Sequence, residues 1–353
     1  MIDREAIFAC VEHNKCSLLH ILQPLLHFDL KTLEYYAQKY KYITLSYEVN
    51  ETLAKDLQWL SQKLKPLYDK RTQKYFKPLL IQLSGEQRVY PYKNTLTPVL
   101  GHIRKKEKGN LTIPQGVMGL ECIKTDTTLI TSINFSLQNT LEKKIDTLQT
   151  KSNSQEVIAT ILDLNTNEIK AIASTLRYDP NNISKQDISK LATHCNQYLF
   201  SSPTLLEPLV IAIKTLEKKD IQNIAPQKLL YYFDKFKLTE KSSELPNERQ
   251  MDIATFLQQN RDVRKIKLNF LQTLKLYATF FNDGKLTQPK ILQNSKITFT
   301  QIIPATIAQH IAQNIKTNHS VLLEFPDRNK TATLQIKKYK NLFTMILSIK
   351  SDR

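Results

Sequence analysis

The chain is predicted to be an α+β protein, an antiparallel sheet flanked by helices. Two observations carry that expectation. The segment SQEVIATILDLNTNEIKAIAST sets two apolar, β-branched runs on either side of the polar turn DLNTNE, which is a hairpin signal. On both sides of it apolar residues recur at helical spacing: Leu137, Leu141, Ile145 and Leu148 before it, and Leu205, Leu206, Leu209, Val210 and Ile213 after it.

Taken in order, the region from Leu18 to Leu67 alternates helical patterns such as LAKDLQWLSQKLKPL with one β-rich run, YITLSYEV. The stripe from Leu137 to Leu148 suits packing against a sheet; a membrane-surface use of the same stripe stays open. In the hairpin turn Asn167 tolerates left-handed geometry. YDPNN then ends a strand, because Pro180 fixes φ while Asn181 and Asn182 accept turn geometry. A helix is expected just after Phe200, with Ser202 as cap and Pro203 in the first helical position. If it starts instead at Thr204, T-x-x-E makes a capping box of Thr204 and Glu207. LNFLQTLKLYATFFNDG reads as a core helix stopped by Asn-Asp-Gly, with Gly284 ending it.

At 353 residues the chain has room for two domains, and 41% hydrophobic with 24% charged residues is a globular composition. The formal charge of +17 points to anionic surroundings: nucleic acid, anionic lipid or an acidic polymer. No C2H2 spacing, RNP signature or arginine-rich arm is present, and lysine is spread along the chain, so no nucleic-acid partner is expected. Cys10, Cys16, Cys122 and Cys195 lack CxxC spacing, and the seven histidines form no ligand set. Neither a metal nor a cofactor is implied. No apolar stretch approaches the roughly 20 residues of a membrane span, and no signal peptide precedes Asp3.

A series of segments resembles the class B penicillin-binding proteins, the peptidoglycan D,D-transpeptidases of division and elongation. MIDREAIFACVEH is similar to the family's R-G-x-I-x-D-R-N-G-x-x-L-A, which follows the membrane anchor. GEQRVYPYKNTLTPVLGHI keeps Arg88, Tyr90, Pro91, Leu100 and Gly101 of a pedestal segment, and PQGVMGLE keeps Gly116, Gly119, Leu120 and Glu121, expected as pedestal hinges. Phe236, Leu245 and Glu248 are in register with the family's F-G-L-G…G-E stretch. The densest match holds Leu271, Gln272, Tyr277, Ala278, Asn282, Asp283, Gly284, Pro289 and Ile291. The resemblance implies a pedestal (dimerisation-like) domain over 1–148 and a shortened penicillin-binding, transpeptidase-like domain over 149–353.

The chemistry the family depends on is altered. FSSPTLLEP stands where the family has F-E-P-G-S-T-x-K-P: Phe200 and Pro208 match, but Thr204 replaces the serine nucleophile, Glu207 the lysine and Pro203 the glycine. After the helix of Leu205 to Leu216, where the family carries its second motif, no S-x-N candidate is found in place, and the segment that would present it is expected to be deleted. Lys330, Thr331, Ala332 and Thr333 resemble the K-T-G-T of the strand lining the active site, with a methyl group in place of the bare glycine. A β-branched alcohol is a hindered nucleophile, and an ordinary carboxylate is a poor base for it. An ion pair of Lys330 with Glu207 is expected to plug the cleft. The resemblance therefore implies an inactive scaffold or regulator on the extracytoplasmic side of the inner membrane, attached only through an anchor absent from this sequence. Its implied partners are cell-wall synthesis, division or elongation proteins and peptidoglycan strands. The rival expectation is a residual transpeptidase or carboxypeptidase acylated on Thr204.

Overall fold

The computed structural model describes residues 1–3, 7, 17–46, 49, 51–69, 74–81, 88–97, 99–108, 111–125, 128–259, 262–293, 299–315, 318–324 and 330–351. They fall into two compact units: Met1–Arg88 with Lys105–Pro114, and Val89–Arg104 with Gln115–Arg353. Cys10, Cys16 and most of MIDREAIFACVEH lie outside the described residues.

The first unit holds helices α1 (Ser17–Leu26), α2 (Leu30–Lys39) and α3 (Glu51–Lys63). Two short antiparallel pairs accompany them, β1 (Ile2–Asp3) with β2 (Tyr42–Ile43) and β3 (Leu67–Asp69) with β4 (Lys74–Phe76). Asp29 caps α2, its carboxylate accepting the Thr32 amide at 2.9 Å. The β-rich run yields a strand only at Tyr42–Ile43; Tyr47 and Glu48 lie outside the described residues.

Strands β5 (His102–Lys108) and β6 (Leu111–Met118) form a two-stranded sheet. Gly101 and Gly119 flank it with φ of 84° and 62°. A Cβ on Gly101 would lie 1.8 Å from the Met118 carbonyl oxygen, and one on Gly119 2.3 Å from that of Val99. Both position and space therefore demand glycine. With Gly116 they belong to the larger unit, not to an N-terminal pedestal.

The larger unit is built on a six-stranded sheet in the order β8-β7-β12-β11-β10-β9: β7 Glu156–Asp163, β8 Glu168–Ser174, β9 Phe200–Ser201, β10 Asn318–Leu323, β11 Lys330–Tyr339 and β12 Leu342–Ser351. Every neighbouring pair is antiparallel. The β7–β8 hairpin forms as its sequence dictates, and Asn167 takes φ 58° in its turn. Alternation along the strands sends Leu334, Ile336, Met345 and Leu347 to one face, into the main core. The other face sends Val157, Ala159, Ala171 and Ala173 against Leu141 and Ile145 of helix α4 (Phe135–Ser152). The stripe from Leu137 to Leu148 thus packs on the sheet, and α4 belongs with the strands rather than ahead of a boundary at 148/149.

The Gln138 side chain also seals the outer edge of β8. It accepts the Ile172 amide and donates to the Ile172 carbonyl, both at 2.9 Å. At that residue the edge is already paired and is closed to another strand.

Helices α5 (His194–Gln197), α6 (Glu207–Glu217), α7 (Pro226–Lys235), α8 (Ile253–Gln259), α9 (Phe270–Phe281) and α10 (Ala305–Asn314) complete the unit. In α9 every residue from Phe270 to Phe280 is buried. Asn269 and Gln272 form a reciprocal capping box at its start, and Gly284, at φ 77°, ends it with its amide on the Thr279 carbonyl at 3.0 Å.

Two polar clusters carry the chain from β8 to β9. Asn181, in the YDPNN turn, clamps Tyr90 by accepting its amide at 3.0 Å and donating to its carbonyl at 2.8 Å. Buried Glu156 accepts from Ser174 at 2.7 Å and lies 2.8 Å from His194 Nδ1, with the Tyr198 ring stacked on His194 at 4.3 Å. Burial, then the Glu156 carboxylate, push the Tyr198 hydroxyl well above its ordinary pKa, so it remains a neutral donor.

Candidate active site

Strand β9 and the turn after it hold the altered nucleophile segment. Phe200 is fully buried, exchanges backbone bonds with Leu268 at 3.0 and 3.1 Å, and faces Leu323 across the sheet. The chain then turns rather than entering a helix: the Leu205 amide donates to the Ser202 carbonyl at 3.1 Å, and that of Glu207 to the Thr204 carbonyl at 3.3 Å.

α6 begins only at Glu207, with Leu206 as an N-cap that makes no side-chain bond. Neither expected start is realised. Pro208 gives the physical reason. A helix starting at Ser202 or Thr204 would call for its missing N–H and press its ring on the carbonyl four residues back, whereas the first helical turn needs no such donor. The Thr204–Glu207 capping box is accordingly not formed, since Glu207's amide reaches the Thr204 main chain instead.

Thr204 Oγ1 lies 3.1 Å from Ser202 Oγ, which also donates to the Ser320 carbonyl at 2.9 Å and accepts the Thr204 amide at 3.3 Å. The hydroxyl relay Thr204–Ser202–Ser320 therefore ends on a backbone carbonyl. A carbonyl accepts a hydrogen bond without taking up a proton, so this relay supplies no base. Tyr277, beneath the turn, donates to the Leu205 carbonyl at 3.0 Å. Burial and then the Glu207 carboxylate raise its pKa, keeping it a donor. Glu207 itself is exposed.

The other expected site residues are only partly brought together. A groove of about 360 Å³ is lined by Ser202, Pro203, Ser320, Leu322, Thr331, Thr333 and Lys350. Thr331 and Thr333 thus face the same hollow as Ser202. Lys330 and Glu207 are not among its walls, and among the described residues no ion pair joins them, so the expected plug is absent.

The register explains the absence. β10 intervenes between β9 and β11, so the K-T-A-T segment lies on the third strand in from the sheet's edge at β9, two strand spacings or about 9–10 Å away. Lys330 pairs with Leu323, which pairs with Phe200, so it sits at the Phe200 end and not beside Thr204. The strand adjoining the turn is β10, whose alternation of buried His319, Val321 and Leu323 with exposed Ser320 and Leu322 is the signal that could have found it.

No family model matches the chain. The curated peptidoglycan D,D-transpeptidase FtsI of Buchnera aphidicola subsp. Schizaphis graminum is 25% identical over 213 residues, 59% of this chain and 35% of that protein. Over that stretch the chain is similar in sequence to a peptidoglycan D,D-transpeptidase. Its fold resembles those of two solved proteins. A peptidoglycan synthetase from Bifidobacterium adolescentis superposes over 95% of this chain and 80% of its own, with a TM-score of 0.59 at 14% identity. Penicillin-binding protein 3 from Mycobacterium tuberculosis in its apo form gives 0.58 at 15% identity, over 76% of this chain and 85% of that one. At such identities these two structures speak to the fold alone. The match to the curated penicillin-binding relative spans about a third of that protein's length. No helix among the described residues is long and apolar enough to cross a membrane.

Proposed function

We propose that this chain is a catalytically silent penicillin-binding-protein homologue, a scaffold or regulator of peptidoglycan synthesis on the extracytoplasmic face of the inner membrane. Its N-terminal unit serves as the pedestal, and its transpeptidase-like unit offers shape and surface to division or elongation proteins. The observation carrying this reading is the hydroxyl relay of Thr204, which runs through Ser202 to the Ser320 carbonyl and, among the described residues, meets no amine or carboxylate. Acyl transfer needs a group that removes the nucleophile's proton and returns it to the leaving amine. Glu207, three residues on, is exposed and cannot supply a neutral amine.

A fluorescent penicillin tests the proposal. The folded chain is expected to show no covalent labelling under conditions that label an active penicillin-binding protein fully. Labelling that disappears in Thr204→Ala would establish the rival, a residual transpeptidase or carboxypeptidase acylated on Thr204, and overturn the silent reading.

A further inference from the structure

The six-stranded sheet has one face in the main core and the other covered by α4 over β7 and β8. Beyond α4 that second face continues across β12, β11 and β10. Three strands at about 4.8 Å each give roughly 14 Å, room for one helix of about 10 Å diameter. A groove of about 650 Å³ runs there between α4 and the strands.

Its walls are mixed in a definite way. Leu137 and Leu148 on α4, Ile161 on β7 and Ile346 on β12 line it, each only partly buried. The charged residues lining it are Lys144 from the helix and Lys337 from β11, both exposed; among the described residues neither is in an ion pair. From Leu137 to Leu148 the helix rises about 16 Å, or three turns.

We propose that this groove docks an amphipathic, acidic helix of a partner protein, laid alongside α4. Its apolar stripe rests on Leu137, Leu148, Ile161 and Ile346, and its carboxylates meet Lys144 and Lys337. Two features select this occupant. A recess between a helix and a sheet fits a convex rod and not the plane of a bilayer, which disfavours a lipid surface for the same stripe. Ammonium groups on opposite walls attract carboxylates and repel a basic helix. Docking here is independent of acylation at Thr204, so a penicillin-labelling result leaves it standing or falling on its own test.

The test uses the full chain and a fluorescein-labelled synthetic helix of 16 residues, with leucine along one stripe and glutamate on both flanks. A mirror peptide carries lysine in place of glutamate. Fluorescence anisotropy is expected to show the acidic peptide binding at least tenfold more tightly than the basic one. Lys144→Glu combined with Lys337→Glu, both at exposed positions, should reverse that preference, and Ile346→Glu should abolish binding while thermal melting shows the fold retained. Failure of the acidic peptide to bind overturns the proposal. So does equal binding of both peptides, or Ile346-dependent sedimentation with phosphatidylglycerol vesicles in place of peptide binding.

Discussion

Lys275 lies wholly buried in α9, its ammonium donating to the Lys237 carbonyl at 2.7 Å with the Lys241 carbonyl at 3.4 Å. Burial is the largest influence on it and lowers its pKa from 10.5 to about 8; Glu248 and Glu240 oppose the fall, and Lys237 adds to it. At about 1.4 kcal/mol per pH unit, carrying this charge costs the native state about 3 kcal/mol at neutral pH. The folded pKa is depressed, so between 8 and 10.5 the unfolded chain holds more protons and stability rises with pH. The cost is complete below 8 and gone above 10.5.

From pH 7 to pH 9.5 the larger unit should therefore gain about 2 kcal/mol from this residue. Lys275→Met keeps the packing and removes the charge, so that gain should vanish in the variant. At pH 7 the variant should be more stable by up to about 2 kcal/mol, after about 1 kcal/mol is subtracted for the hydrogen bonds its carbonyl partners lose. Urea denaturation followed by circular dichroism at several pH values measures this. Trp59 fluorescence does not, because that residue lies in the smaller unit. An equal pH dependence in wild type and variant, or none in wild type, would refute the reasoning.

Three further outcomes are expected. Ser202→Ala strands the Ser320 carbonyl and the Thr204 hydroxyl and should cost about 1 kcal/mol in denaturant titrations, whereas Thr204→Val, which leaves the Ser202–Ser320 bond intact, should cost less; a reversed order would contradict the relay. Gly119→Ala combines a positive φ with a 2.3 Å approach to the Val99 carbonyl and should cost about 3 kcal/mol or more, visible as lost soluble yield or a lowered melting temperature. Asn167→Gly relieves left-handed strain in the β7–β8 turn and should leave melting unchanged or raise stability by up to about 1 kcal/mol; a clear loss would mean the side chain is needed there.

What could be read from the chain itself was what neighbours within a few residues decide. The hairpin around Asn167, the stripe of α4, and the Gly284 stop of α9 all follow from periodicities of two and 3.6 and from local backbone tolerance. The start of α6 was also legible in principle, since Pro208 excludes a helix beginning at Thr204, but the T-x-x-E pattern competes with it on paper. A capping box that does form, Asn269 with Gln272, opens α9 instead.

Tertiary structure alone decided which strand lies beside the turn. The pairings that seat β9 beside β10 and β7 beside β12 join residues more than a hundred positions apart, such as Phe200 opposite Leu323, and side-chain type specifies those pairings only weakly. That is why K-T-A-T could be recognised as a segment yet not placed, and why the Thr204 hydroxyl finds its partner in Ser202, itself bonded to the Ser320 carbonyl, rather than in the Glu207 or Lys330 side chain. Residue types mark where chemistry could reside; only the assembled sheet determines which groups come within hydrogen-bonding reach.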